Sequence, residues 1–178
     1  PVNNRIVLSS DHAAIELRQM IAAHIAEKGF EAVDIGPVTP ESTHYPKHGQ
    51  EAAQRIANGD ADLGILLCGT GQGIMMAANK VNGVRAALCN DLYTARMARE
   101  HNDANVLGMG GRIVAPGLAD EIVICFLQTP YQAGRHQRRV DQLGDLGGFG
   151  TDGAALDAYL DSLVPGITAR ATGAAKGA

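Results

Sequence analysis

The sequence predicts an α/β protein built on a five-stranded parallel sheet with helices on both faces. Three observations carry this. Five short apolar runs alternate with five helix-like segments, and a helix between strands is what a parallel crossover requires. The third run, LGILLC (63–68), is apolar throughout, as a strand buried on both faces is. The polar and glycine-rich breaks SDH (10–12), CGTGQG (68–73) and the turn at Asn90–Asp91 each follow a strand, so they share the carboxyl edge, where ligands bind in such sheets.

The elements follow in order. RIVLS (5–9) is β-branched and reads as the first strand. A helix follows over 14–29, with Ile15, Leu17, Ile21 and Ile25 at helical spacing and Gly29 as its stop. EAVDIG (31–36) is a strand and HGQEAAQRIANG (48–59) a helix. After LGILLC comes a short helix, IMMAANK (74–80). VRAALC (84–89) and NVLGMG (105–110) are the last strands, followed by the helices LYTARMAREH (92–101) and LADEIVICFLQ (118–128). Further on, GGFGTDG (147–153) is a hinge-like break, AALDAYLDSLV (154–164) one more helix and ARATGAAKGA (169–178) a frayed tail. This divides the chain into a main domain, 1–146, and an extension, 147–178.

Composition narrows the function. With 178 residues, 46% of them apolar, the chain suffices for one domain with a true core. A net charge of -4 argues against a nucleic-acid surface but not against a small cationic pocket. No apolar run is long enough to span a bilayer. Cys68, Cys89 and Cys125 lack metal-type spacing; an odd count without a secretory leader fits a reducing cytoplasm.

The glycine loop matches no nucleotide fingerprint. Its spacing is G-x-G-x-G on the third strand, and no G-K-S/T follows. Gly69, Gly71 and Gly73 let the main chain bend sharply and turn N–H groups inward, where they can hold an anion or a developing oxyanion. Cys68 stands at the head of this loop, as either a reactive thiol or a structural cysteine beside a tight turn.

Other clusters have two readings as well. Asp11 and His12 can be a helix cap or site residues, and His101 with Asn102 a polar helix end or a site. Arg135 and Arg139, four apart with His136 beside them, are a solvated basic face or a phosphate clamp; Arg138 belongs to the solvated face. His44 and His48 are also four apart, but Pro46 between them opposes a helical metal pair, and Asp60 and Asp62 read as turn residues. No metal site is expected.

Six segments in order, SDHAA, THYP, ILLCGTGQGI, AANKVNGVRAAL, EHNDANVLGMGGR and GRHQRRV, resemble the ribose-5-phosphate isomerase B family, which includes galactose-6-phosphate isomerase subunits. The likeness runs from about Arg5 to Leu146. It implies a Rossmann-like three-layer αβα sandwich, a homodimer or dimer of dimers with sites between subunits, and aldose–ketose isomerisation of a phosphorylated sugar without metal or cofactor. By that resemblance Cys68 is the base that moves a proton between C1 and C2. Thr70 and His101 open the sugar ring, and Gly69, Gly71 and Gly73 stabilise the enediolate. Asp11, His12, Tyr45, Asn102, Arg112, Arg135 and Arg139 contact substrate, with His12 and the arginines on the phosphate. The His101 segment would reach a neighbour's Cys68.

The chemistry is coherent with that assignment. A carbon acid beside a carbonyl needs a base and a stabilised enediolate oxygen, and a remotely held phosphate provides binding energy and orientation. One branch of the family replaces the loop cysteine by a glutamate just beyond the loop; here that place holds Ile74, which favours Cys68. The usual Asp-Tyr-Pro is His44-Tyr45-Pro46, which bears on sugar selectivity. Ribose 5-phosphate is the default substrate, with allose, galactose or tetrose phosphates as alternatives. Among other classes, a non-catalytic sugar-phosphate sensor has no use for Cys68, Thr70 and His101 together, and a flavodoxin-like carrier finds few aromatics here.

Overall fold

Ile6, Val7 and Leu8 are all essentially without solvent contact, so the first strand has no wet face. The same holds for Ile65, Leu66 and Leu67. Successive side chains of a strand point to opposite faces, so such runs demand a helical layer on each side. The computed structural model describes residues 4–148 and 153–165 and shows those layers.

The elements are β1 (Arg5–Ser10), a 3-10 turn (His12–Ala14), α1 (Ile15–Glu27), β2 (Glu31–Asp34), α2 (Tyr45–Ala57), β3 (Leu63–Cys68) and α3 (Gln72–Ala78). They continue with β4 (Ala86–Leu88), α4 (Leu92–Asn102), β5 (Val106–Gly110), α5 (Pro116–Gln128), a 3-10 turn (Gly134–His136), α6 (Gln137–Gly148) and α7 (Gly153–Leu163). All strand pairs are parallel, in the order β2-β1-β3-β5-β4. Ile6, Leu8, Ile65 and Leu67 pack with Ile21 and Ile25 of α1, Ala95 and Ala98 of α4, and Ile122 and Phe126 of α5. Val7, Leu66 and Cys68 pack on the other face with Ala52 and Ala53 of α2 and Ile74 and Ala78 of α3. The fold is the expected three-layer α/β sandwich.

Two compact units divide within α6, one up to Val140 and one from Asp141. In the second, the helix expected at 154–164 is α7, where Tyr159 Oη donates to Asp145 Oδ2 at 3.1 Å. Residues 149–152 of the expected hinge and the expected tail at 169–178 lie outside the described residues.

Some element limits move. α2 begins at Tyr45 rather than His48, because Pro46 sits in its first turn, where a missing N–H is harmless. His44 is its N-cap and His48 lies within it. α3 begins at Gln72, because Gly71 adopts φ 78° and turns the chain straight into the helix. Arg135 belongs to the 3-10 turn and Arg139 to α6, so one regular helix does not carry both. The main surprise is Arg18. It lies on the inner face of α1 beside Ile21 and Ile25, with 1% exposure. No helix among the described residues is long and apolar enough to cross a membrane.

Candidate active site

The strand order reverses direction between β1 and β3: the connection from β1 leads to β2 on one side, and that from β3 leads across to β4 on the other. A crevice outside the carboxyl ends of two such strands is where open α/β sheets bind ligands. The segments leaving β1 and β3 are Asp11–His12 and the glycine loop.

Cys68 ends β3, facing the α2–α3 layer, with 4% exposure. Its Sγ accepts a hydrogen bond from Gly71 N–H at 3.2 Å, so the loop folds back on the sulfur and orients it. Only glycine fits at 71. Besides its φ, a methyl there would lie 2.6 Å from the Met109 carbonyl carbon. A methyl on Gly73 would lie 2.6 Å from the Tyr45 ring, so Tyr45 covers the loop from α2. A methyl on Gly69 would touch the Arg112 guanidinium at 3.4 Å. Arg112 is held there because β5 continues past Gly110 alongside the loop: Gly111 N donates to Cys68 O at 2.8 Å and Arg112 N to Gly69 O at 3.0 Å. Thr70 is exposed, and its Oγ1 accepts from Gln72 N at 3.4 Å.

Asp11 caps the 3-10 turn, accepting from Ala13 N at 2.9 Å, while its own N–H donates to Leu67 O at 3.2 Å. His12 follows, its Nδ1 accepting from Thr43 N at 3.2 Å. Next to His12 a cleft of about 750 Å³ opens between the start of α1 and Pro116 of α5. Asp11, His12, Tyr45, Cys68, Gly69, Thr70, Gly71, Gly73 and Arg112 thus gather at the carboxyl edge.

The other predicted residues gather elsewhere. α4 starts at the carboxyl end of β4 and runs back, ending at His101 and Asn102 just before β5 begins. There Arg85, which precedes β4, donates from Nε to Asp103 O at 2.9 Å and pairs through Nη2 with Asp103 Oδ2 at 2.9 Å. Arg99 pairs with Asp103 Oδ1, also at 2.9 Å. Asp103, at φ 45°, is a left-handed C-cap held in place by these two arginines. The segment after α5 joins this edge: Gln132 N donates to Glu100 O at 3.1 Å, and the His136 ring stacks on His101. Arg135 Nε donates to His136 Nε2 at 3.3 Å. His136 is 8% exposed; burial lowers its pKa below the ordinary 6.5, and the charges of His101, Arg135 and Arg139 add to the effect.

Within one chain, therefore, His101, Asn102, Arg135 and Arg139 stand at the amino edge of the sheet. The length of β5, roughly 16 Å for five residues, separates them from the level of Cys68. Cys89 is separate from both groups, and burial pushes its thiol up to about 11, which suits an inert core cysteine.

Three residues to which the sequence assigns no site role, Asn90, Asp103 and Arg18, brace these edges. Asn90 Oδ1 accepts from Gly110 N at 3.2 Å and steadies the strand end beside the loop. Asp103 was visible only as part of a polar helix end, and Arg18 only as one charge in a mixed helix. A residue that acts through neighbours from other elements leaves no local pattern.

Residues 6–143 match the family described as Ribose/Galactose Isomerase. Ribose-5-phosphate isomerase B of Escherichia coli K12 is 44% identical over 139 residues, covering 78% of this chain and 93% of the relative. The solved ribose-5-phosphate isomerase B of Clostridium thermocellum superposes with a TM-score of 0.80 at 44% identity, covering 81% of this chain and 97% of that one. The enzyme of that name from Mycoplasma genitalium, solved with bound ribulose-5-phosphate, superposes with a TM-score of 0.78 at 42% identity, covering 81% and 96%. The shared segment contains both residue clusters and every strand between them, so the chain belongs to the ribose/galactose isomerase family and is an isomerase.

Proposed function

We propose that the chain interconverts ribose 5-phosphate and ribulose 5-phosphate by proton transfer through an enediolate, with Cys68 as the base. One observation carries this reading. At the reversal point of the sheet a buried sulfur, oriented by Gly71 N–H, lies in the same loop that Tyr45 and Arg112 flank. The relative solved with ribulose-5-phosphate supports the substrate class.

In this reading Cys68 takes the proton from C2 of the open-chain aldose and leaves an enediolate; the hydroxyl proton then moves from O2 to O1 as Cys68 returns its proton to C1. N–H groups of the Gly69–Gly73 loop other than that of Gly71, which is engaged by Cys68 Sγ, stabilise the enediolate oxygen. In this reading backbone donors carry that charge and no metal takes part. Asp11 and Tyr45 hold the sugar, while His12 and Arg112 approach the phosphate end. Thr70 and His101 serve ring opening, with His101 as the acid for the ring oxygen; Asn102, Arg135 and Arg139 complete the substrate contacts. Because the two clusters stand at opposite sheet edges, the working site is composite: the amino edge of one subunit meets the carboxyl edge of another in a homodimer or dimer of dimers. The main isomerase domain is residues 1–146, with 147–178 an extension. Three free cysteines accord with a cytoplasmic enzyme.

The test is a coupled assay across four-, five- and six-carbon aldose phosphates. The highest kcat/KM is expected on ribose 5-phosphate. A clear preference for a hexose or tetrose phosphate would move the substrate while keeping the chemistry, and binding without turnover would make the chain a sensor.

A further inference from the structure

Arg18 is the bulkiest of the fully buried side chains, and a buried guanidinium must be paired. Its partners come from three places. Nη1 donates to Ser10 Oγ at 2.6 Å, at the end of β1. Nη2 donates to Pro37 O at 2.8 Å, in the connection from β2 to α2. Nε lies 2.8 Å from Asp34 Oδ1, at the end of β2, as an ion pair without hydrogen-bond alignment. Gly36 faces the guanidinium so closely that a methyl group there would overlap it.

These ties reach the site at two points. Ser10 Oγ passes the contact on, donating to Asp11 O at 2.8 Å. The held connection ends at Thr43, whose N–H donates to His12 Nδ1, and Tyr45 follows two residues later against Gly73. An Nδ1 that accepts leaves the proton of a neutral imidazole on Nε2. His12 therefore presents an N–H donor on the side away from Thr43.

We infer that Arg18 is a positioning residue: by holding residues 35–44 against the end of β1, it keeps His12 in its Nε2–H form and Tyr45 on the glycine loop, and so sets the affinity for the phosphosugar without touching it. This rests on the reading that Asp11, His12 and Tyr45 contact a sugar phosphate.

The experiment pairs steady-state kinetics on ribose 5-phosphate with ¹⁵N NMR of the His12 ring, assigned through His12→Gln. Arg18→Met and Gly36→Ala should each raise KM about tenfold, the scale of one lost hydrogen bond, with kcat within about twofold of wild type. Arg18→Lys should recover part of the loss. The double variant Arg18→Met/Gly36→Ala should be no worse than the worse single one, since both break the same tie. The His12 ring should show the Nε2–H form in the wild type and a tautomer mixture in the variants. If Arg18→Met does not fold, Gly36→Ala, which keeps the arginine, decides alone. Wild-type KM together with an unchanged His12 ring overturns the inference, and so does a fall in kcat at constant KM. An inactive wild-type protein would instead remove the functional reading, while the His12 tautomer still decides the role of Arg18.

Discussion

The imidazole of His101 stacks on that of His136, with ring centroids 4.2 Å apart and planes 12° from parallel. A proton on His136 would be poorly hydrated and would face His101, Arg135 and Arg139, so its folded-state pKa lies below 6.5. As pH falls from 6.5 towards that lower value, the unfolded chain binds more protons, and stability is lost. His48, lowered chiefly by burial, acts with the same sign. Urea denaturation should therefore show full stability above about pH 7 and a decline below 6.5. His136→Gln should flatten part of that decline; an identical slope in the variant would assign the effect to other groups.

The separation of Cys68 from His101 makes a mixing experiment decisive. Cys68→Ala and His101→Ala should each be nearly inactive alone. Co-refolded at equal amounts, they should regain about a quarter of wild-type activity, because half the dimers then hold one intact site out of two. No recovery in a sample shown to exchange subunits would place both groups in the same chain's site.

Removing the proposed base should separate binding from turnover. Cys68→Ala is expected to abolish isomerisation while retaining substrate affinity, measurable by calorimetry. Cys89→Ala and Cys125→Ala should keep kcat; Cys89, with 1% exposure, should cost about 1 kcal/mol of stability. Near-normal turnover by Cys68→Ala would require another base.

Ring opening is separable from isomerisation. His101→Ala should harm ribose 5-phosphate strongly, yet barely affect a tetrose 4-phosphate, which cannot close a ring through the phosphorylated oxygen. Equal loss on both substrates would give His101 a binding or structural role.

The proposed phosphate clamp has its own signature. Arg135→Ala and Arg139→Ala should each weaken phosphosugar binding by roughly 1.5–3 kcal/mol, the range for a hydrogen bond to a charged group. Lysine should restore only part, because the planar fork is lost. Free ribose should be a poor substrate, and its turnover indifferent to either change. Chelator should leave all these rates unaltered; inhibition by chelator would remove the metal-free step. An unchanged KM in both alanine variants would return this segment to a solvated basic surface.

Much of this was legible from the chain alone, because the determining physics is local. Apolar strands alternating with helices can form a parallel sheet, and LGILLC reads as a strand buried on both faces. Gly69, Gly71 and Gly73 mark a sharp bend in the main chain, and of the three it is Gly71 that adopts positive φ, at 78°. Six short segments in order were enough to indicate the family. Limits move where the local signal is weak: α2 starts at Tyr45 with Pro46 in its first turn, ahead of the expected His48, and the stretch from Arg135 to Arg139 changes helix type on the way.

The sequence by itself determined the element types, the sheet class and the residue types the chemistry requires, since periodicity and glycine placement act over a few residues. Only the tertiary structure decided how they meet. The order β2-β1-β3-β5-β4 inserts β5 beside β3, and this brings Arg112 against Gly69. Arg18 could be buried only because Ser10, Asp34 and Pro37 converge on it from three separate parts of the fold. His101 and Cys68 are divided because a helix of eleven residues, packed antiparallel to its strands, carries its last turn about 16 Å back to the opposite edge of the sheet.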